Sequence, residues 1–270
     1  MSDAMYLCVT CGTQYPVEDA PPAHCPICED DRQYVNRQGQ QWTTLARLHA
    51  GAHTNAFTER IPGVTSIATE PKVGIGQRAY LLQTPAGNLL WDCLAYLDDA
   101  TIAEIQRRGG LAAIAVSHPH FYTTMVDWSH AFGGVPIYLH ADQRPWVMRD
   151  DPAIRYFAEE SVEPLPGLRA LRLGGHFPGS AVLHWPGAAD GAGALFTGDT
   201  IKVVADPRWV TFMYSYPNDI PLGPTAIQRI VAGIEPLAFA RLYDGWDEIE
   251  SDARGAVLRS AERYLRHIAE

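Results

Sequence analysis

From residue 79 onward, short apolar runs alternate with stretches of helical spacing, and the two patterns predict different elements. Residues 79–84 and 88–93 read as strands joined by Pro85-Ala86-Gly87, a hairpin signal. Residues 99–108 place Ile102 and Ile105 on one helical face and stop at Gly109-Gly110. A buried strand over 111–116, a helix over 122–132 ended by Gly133-Gly134, and a strand over 136–140 follow. The second half predicts strands at 168–173, 181–185, 194–197 and 240–243. Its helices span 225–234 and 251–269; in the first, Ile227, Ile230, Val231 and Ile234 fall at i, i+3, i+4 and i+7. Strands and helices mix in both halves, so the expected class is α+β, with sheets covered by helices.

The first 42 residues break this pattern. They carry two tight cysteine pairs, Cys8-x-x-Cys11 and Cys25-x-x-Cys28, separated by a segment holding Pro16, Pro21 and Pro22. The prolines allow a loop or short hairpin there but not a long helix. Each pair sets two sulfurs on one backbone knuckle, and two knuckles make a tetrahedral set of thiolates. A module this small buries too little surface to fold alone, which assigns the metal a structural role. The polar stretch from Glu29 to Trp42 reads as the ribbon's end and a linker, dividing the chain into 1–42 and 43–270. Cys93, inside an apolar run, reads as a buried small hydrophobe.

Composition narrows the partners. With 21 Lys plus Arg against 31 Asp plus Glu, the net charge of −10 repels a phosphate backbone or an anionic membrane, so neither nucleic acid nor membrane is expected. Hydrophobic residues at 47% give ordinary globular composition, and no apolar run approaches the roughly 18 residues of a spanning helix. The start lacks a basic region followed by an apolar stretch, and the expected compartment is the cytoplasm, where cysteines are thiols or metal ligands.

The densest chemistry is Ser117-His118-Pro119-His120-Phe121-Tyr122, at the end of a predicted buried strand. Two His with one residue between them can present both rings to one side of a loop, and imidazole suits zinc and iron. Leu173-Gly174-Gly175-His176-Phe177-Pro178-Gly179 sets a third His among glycines, and Phe196-Thr197-Gly198-Asp199 ends a strand with an acid. Taken singly, each has a bland alternative: surface histidines, or an Asp that caps a helix.

The order of these three motifs resembles the metallo-β-lactamase superfamily over roughly residues 60–270, and the cysteine knuckles resemble those of rubredoxins and zinc ribbons. The resemblance implies an αββα sandwich, two mixed β-sheets flanked by helices, behind a small zinc ribbon. It also implies that His118, His120 and His176 form a three-His metal site with Asp199 as ligand or as partner of the activated water. Asp92 is similar to the family's strand-borne Asp that supports the site by hydrogen bonding. The chain departs from the family where Tyr122 and Thr123 replace the Asp and His of the first motif. It departs again where Tyr243-Asp244-Gly245-Trp246 stands in place of a final His. These departures imply one catalytic metal, with Asp244 as the candidate replacement for the lost His.

The expected function is metal-dependent hydrolysis of a small-molecule ester, lactone, thioester or amide, with zinc at both sites and iron an alternative at each. Tyr122 is a candidate to donate to substrate or to developing negative charge. The segment 209–218 offers Phe212, Met213, Tyr214 and Tyr216 as a pocket wall, with core packing or a homodimer contact as alternatives. Two rival classes stay open: a mononuclear iron oxidoreductase, such as a dioxygenase, fed by a rubredoxin-like ribbon, and a non-catalytic metal-binding protein.

Overall fold

The structure, a computed structural model, describes residues 4–268. Two sheets form its centre. One has seven strands, ordered Ile154–Phe157, Ile137–His140, Ala113–Ala115, Gly87–Trp91, Ala79–Thr84, Val64–Glu70, Thr54–Ile61; its first four are parallel and the rest antiparallel. The other has six, ordered Ser161–Leu165, Leu168–Arg172, Ala181–Trp185, Ala194–Gly198, Arg241–Asp244, Glu248–Ile249. Within it only Ala194–Gly198 and Arg241–Asp244 run parallel. Both sheets are mixed.

The period-2 alternation of each strand explains the layering. Along Ala79–Thr84, Tyr80 and Leu82 face the second sheet, while Ala79 and Leu81 face helices. Leu89 and Trp91 point inward and Leu90 outward; across the gap, Leu183 and Phe196 point inward, Val182 and Leu195 outward. Strands covered on both faces are apolar at nearly every position, which is why they stood out in the sequence. The first sheet's outer face is covered by Asp99–Arg107, through Ile105, and by Met125–Ala131, through Met125, Val126 and Trp128. Pro224–Ile234 and Ala253–Ile268 cover the second, through Ile227, Ile230, Ile234, Ala256 and Val257. The layers are therefore αββα. Each fully buried Leu, Ile or Phe contributes about 1.5–3 kcal/mol.

The predicted strands and helices of 79–268 form, with shifts at their ends; Ala269, the expected last residue of the final helix, lies outside the described residues. The helix expected over 122–132 is shorter, Met125–Ala131, and is preceded by a 3-10 turn, Pro119–Phe121. Thr123, at φ 42°, separates the two. The hairpin Thr54–Ile61 and Val64–Glu70 has no counterpart in the sequence reading, because its outer strand is polar and half-buried.

The cysteine segment makes its own sheet, ordered Gln14–Glu18, Ala4–Cys8, Trp42–Thr43, all antiparallel. The proline-bearing insertion thus starts as one arm of a hairpin. Pro26–Glu29 is a single helical turn that carries Cys28. Among the described residues no helix is long and apolar enough to cross a membrane.

Candidate metal centres

Cys8, Cys11, Cys25 and Cys28 converge as free, buried thiols. Thiolates at about 2.3 Å from a tetrahedral zinc lie about 3.8 Å apart. Here Cys8 Sγ is 3.5 Å from Cys28 Sγ, and Cys11 Sγ is 3.8 Å from Cys25 Sγ. Sulfurs this close cannot all ionise unaided: hydrogen bonds shared with neighbouring cysteines hold Cys8 and Cys25 low and push Cys11 up. A divalent cation removes that conflict, so the donor set fits a thiolate-bound metal. Gln40 donates from Nε2 to Cys8 Sγ at 3.1 Å, a hydrogen bond to the ligand from outside the set.

The second centre is assembled from three loops at one end of the sandwich. After Ala113–Ala115, the backbone N–H of Ser117 donates to Asp92 Oδ1 at 2.7 Å, fixing the exit of the strand. Asp92 itself sits at φ 62° just past Gly87–Trp91. Its carboxyl is pushed up to about 8 by burial, against the Ser117 N–H that favours the charge. Asp92 thus holds the backbone one residue before His118. His118 is extended, and the turn beginning at Pro119 swings His120 beside it, with ring centroids 5.1 Å apart.

His176 arrives from the opposite sheet through Gly174-Gly175; Gly175 is at φ 84°, and a Cβ there would crowd Leu222 at 3.0 Å. Asp199 follows Gly198, whose φ is 50°. A Cβ on Gly198 would meet Ser117 Oγ at 2.4 Å, so only glycine lets the Asp-bearing turn close on the His-x-His loop.

Four donor atoms meet as a result. Asp199 Oδ2 lies 3.3 Å from His118 Nε2, 3.8 Å from His120 Nδ1 and 3.7 Å from His176 Nε2, and His176 Nε2 lies 3.3 Å from His120 Nδ1. Nitrogen and oxygen ligands at about 2.0–2.1 Å from one tetrahedral ion stand about 3.3–3.4 Å apart, so the set fits a single ion. His118 Nε2 and Asp199 Oδ1 are buried without a hydrogen-bond partner, as a ligand site requires.

Another hydrogen bond fixes the tautomer of His176. His176 Nδ1 meets the Met213 carbonyl at 3.3 Å, and a carbonyl only accepts, so the proton sits on Nδ1 and Nε2 presents its lone pair. Ser117 Oγ, 2.9 Å from His118 Nδ1, can accept from that nitrogen when Nε2 faces the other donors, though a hydroxyl, unlike a carbonyl, does not by itself fix the tautomer. Burial lowers His120 and drives His176 well below its usual value, keeping both rings neutral. Burial would raise Asp199, but His118, His120 and His176 outweigh it and hold the carboxyl well below its usual range.

His120, His176 and Asp199 open into a cavity of about 140 Å³. Roomier clefts of about 580 and 750 Å³ elsewhere are lined by neither His nor Cys. The small cavity's other walls include Ile75, Tyr216, Pro217 and Trp246, together with Arg32, Gln33 and Tyr34 from the cysteine segment. Residues 29–42, expected to be the ribbon's end and a linker, thus also contribute walls to this cavity. Arg32 donates from Nε to the His176 carbonyl at 2.6 Å, and its guanidinium lies 4.5 Å from the Phe177 ring centroid and 4.4 Å from that of Tyr214. Asp30 accepts two bonds from the same guanidinium, at 2.7 and 2.8 Å.

Three expectations meet a different geometry. Tyr122 does not reach the cavity: its hydroxyl donates to Gln143 Oε1 at 2.8 Å. Gln143 in turn donates to the carbonyls of Ser117 and Gly179, so Tyr122 braces the two His-bearing loops instead of facing substrate. Asp244 does not replace the missing His. Both its oxygens are taken by backbone N–H groups, Oδ2 by Val203 at 2.7 Å and Oδ1 by Trp246 and Asp247 at 2.6 Å. The aromatic segment divides: Tyr216 and Pro217 wall the cavity, while Phe212 is core. Cys93 is fully buried in the core, as expected.

No family model matches the chain. Over 263 residues it is 47% identical to the uncharacterized protein YmaE of Bacillus subtilis (strain 168), spanning 97% of this chain and 96% of that one. It belongs to the family of YmaE. Among solved structures it is similar to VMB-1, with a TM-score of 0.60 at 14% identity over 81% of this chain and 100% of that one. It is also similar to TMB-1, at 0.58 and 12% identity over 78% and 98%. DIM-1 metallo-β-lactamase matches at 0.57 and 11% identity over 80% and 98%. This YmaE-family chain has the metallo-β-lactamase fold, with a four-cysteine ribbon at its N-terminus.

Proposed function

We propose that the protein is a metal-dependent hydrolase of a small-molecule ester, lactone, thioester or amide, working with one catalytic metal. The observation that carries this reading is the convergence of four buried donors at the spacing of a single coordination sphere, with Asp199 Oδ1 left free. A zinc ion held there would activate water near neutral pH and polarise a carbonyl. His118, His120 and His176 would hold such an ion, and Asp199 would be a fourth donor through Oδ2 or a proton acceptor through Oδ1. Arg32 forms part of the pocket wall. A single metal is supported because the Tyr122 hydroxyl and the Asp244 carboxylate are both engaged elsewhere. Among the described residues, only the four cysteines and this set form groups able to hold a metal. Five cysteines without a disulfide support a reducing compartment.

The test is a panel of esters, lactones, thioesters and amides offered to the zinc-loaded full chain, with metal content measured beside turnover. Metal-dependent hydrolysis of one class is the expected result; a fully loaded chain inert to all four overturns it.

One observation favours a second reading, oxidation at a mononuclear iron. Trp146 packs on the cysteine cluster and meets Phe177 edge-on at 5.0 Å, and Phe177 in turn meets the rings of His120 and His176 at 5.1 and 5.2 Å. An aromatic bridge thus joins the two centres. Ferric-thiolate colour in anaerobically purified protein would select this reading, and colourless zinc protein the hydrolase.

A further inference from the structure

Gln33 is 5% exposed and lines the cavity that His120, His176 and Asp199 open into. Its Oε1 is buried without a hydrogen-bond partner. An unpartnered buried amide costs about 1–3 kcal/mol, and such a group in a cavity wall marks a place for a ligand atom. Its backbone is pinned on both sides. The Gln33 N–H donates to the Asp30 carbonyl at 2.9 Å, and Asn218 Nδ2 donates to the carbonyls of Asp31 and Gln33 at 2.9 and 3.2 Å. Arg32, bonded to the His176 carbonyl, holds the preceding residue against the metal-bearing loop. The free amide is therefore presented on a fixed strap.

We propose that Gln33 of the cysteine ribbon is a substrate-binding residue of the metal pocket, accepting a hydrogen bond from an N–H or O–H beside the carbonyl of a small neutral substrate. This rests on the reading of the second centre as a hydrolytic metal site. Size follows from the cavity, whose roughly 140 Å³ holds about five water-sized atoms at ~30 Å³ each. Neutrality follows from the walls: the one cationic side chain there, Arg32, is already paired with Asp30. The unpartnered Gln33 atom is the amide oxygen, an acceptor, so the substrate group that meets it is a donor. The ribbon then does more than hold structure; it sets which acyl compounds fit.

Calorimetric titration of the zinc-loaded full chain with two probes tests this apart from turnover. Acetohydroxamic acid offers an N–H beside its carbonyl, and acetate binds a metal without one. Gln33→Leu is expected to raise the Kd of acetohydroxamic acid about tenfold and to change that of acetate less than twofold; Gln33→Ala carries the same expectation if the Leu variant unfolds. Equal changes for both probes, or none for either, overturn the proposal while the hydrolase reading stands. Failure of the wild-type chain to bind either probe, or binding that His118→Ala leaves intact, overturns both.

Discussion

The two candidate metal centres differ in how they are made. The cysteine set comes from two knuckles about 14 residues apart, and its spacing alone nearly closes the tetrahedron. The histidine set is drawn from both sheets, and it exists only after the sandwich has formed. One is a local device, its donors all carried by a single short segment. The other is positioned by the whole fold, with Gly198, Ser117 and Asp92 holding donors that sequence distance keeps apart. The first set spends all four donors on closure, while the second leaves Asp199 Oδ1 free beside a cavity. Closure and openness follow from these two styles of construction.

The comparison breaks most sharply at His176. His176→Ala should remove one ion per chain, leave the cysteine-bound ion, and cut turnover by at least a thousandfold, on the order of 4 kcal/mol. Metal analysis beside steady-state rates checks it. Loss of both ions would show that the centres are not separately built.

Cys28→Ser is the reciprocal test, with the next largest effect. Removing one thiolate should release the ribbon's ion and loosen residues 5–28, because that metal supplies the segment's stability. Hydrogen exchange there should rise, while the strands from Ala79–Thr84 to Arg241–Asp244 stay protected. Turnover should fall partly, since Arg32, Gln33 and Tyr34 lie within six residues of Cys28 and wall the pocket. Unchanged turnover with the ion gone would separate ribbon from pocket.

How much of this was legible in the sequence follows the same division. The cysteine set is readable because its donors are close in sequence. His118, His120, His176 and Asp199 are readable only through motif order, since each alone has a bland alternative. Tyr122 and Asp244 misled because vacancy in a motif says nothing about where the substituting side chain will turn. Gln143 and three backbone N–H groups decide that, and none of them is marked in the sequence. Arg32 and Gln33 were hidden in a polar stretch whose composition matches any linker. The contact that exposes them, Asn218 to Asp31 and Gln33, joins residues some 185 positions apart. The hairpin over residues 54–70 escaped for a related reason: an edge strand facing solvent lacks the apolar run that marked the central strands.

A pH experiment sharpens the fold's share. Burial pushes Asp244 up to about 6 despite three backbone N–H groups, against an ordinary value of 3.8. A carboxyl raised on folding contributes stability that is complete below pH 3.8 and is lost as pH rises through 6. The stability difference between wild type and Asp244→Asn should therefore shrink by on the order of 2–3 kcal/mol from pH 4 to 7. Urea midpoints measured for both chains show it, and the subtraction removes the histidine and thiolate titrations common to the two. A difference that grows with pH would mean the N–H groups outweigh burial.

The smallest effect asks whether the open centre depends on its own hydrogen-bonded neighbour, Ser117, separately from the closed one. Ser117→Ala deletes the oxygen that orients His118 while leaving the Ser117 N–H on Asp92 in place. Loss of such a partner weakens metal affinity about tenfold, or ~1.4 kcal/mol. Competition with a zinc chelator should show that loss at the histidine set and none at the cysteine set, whose nearest outside donor is Gln40. Equal loss at both would mean that the substitution acts through the fold, because Ser117 has no bond to the ribbon and its carbonyl bonds to Gln143 and Ala181 are kept.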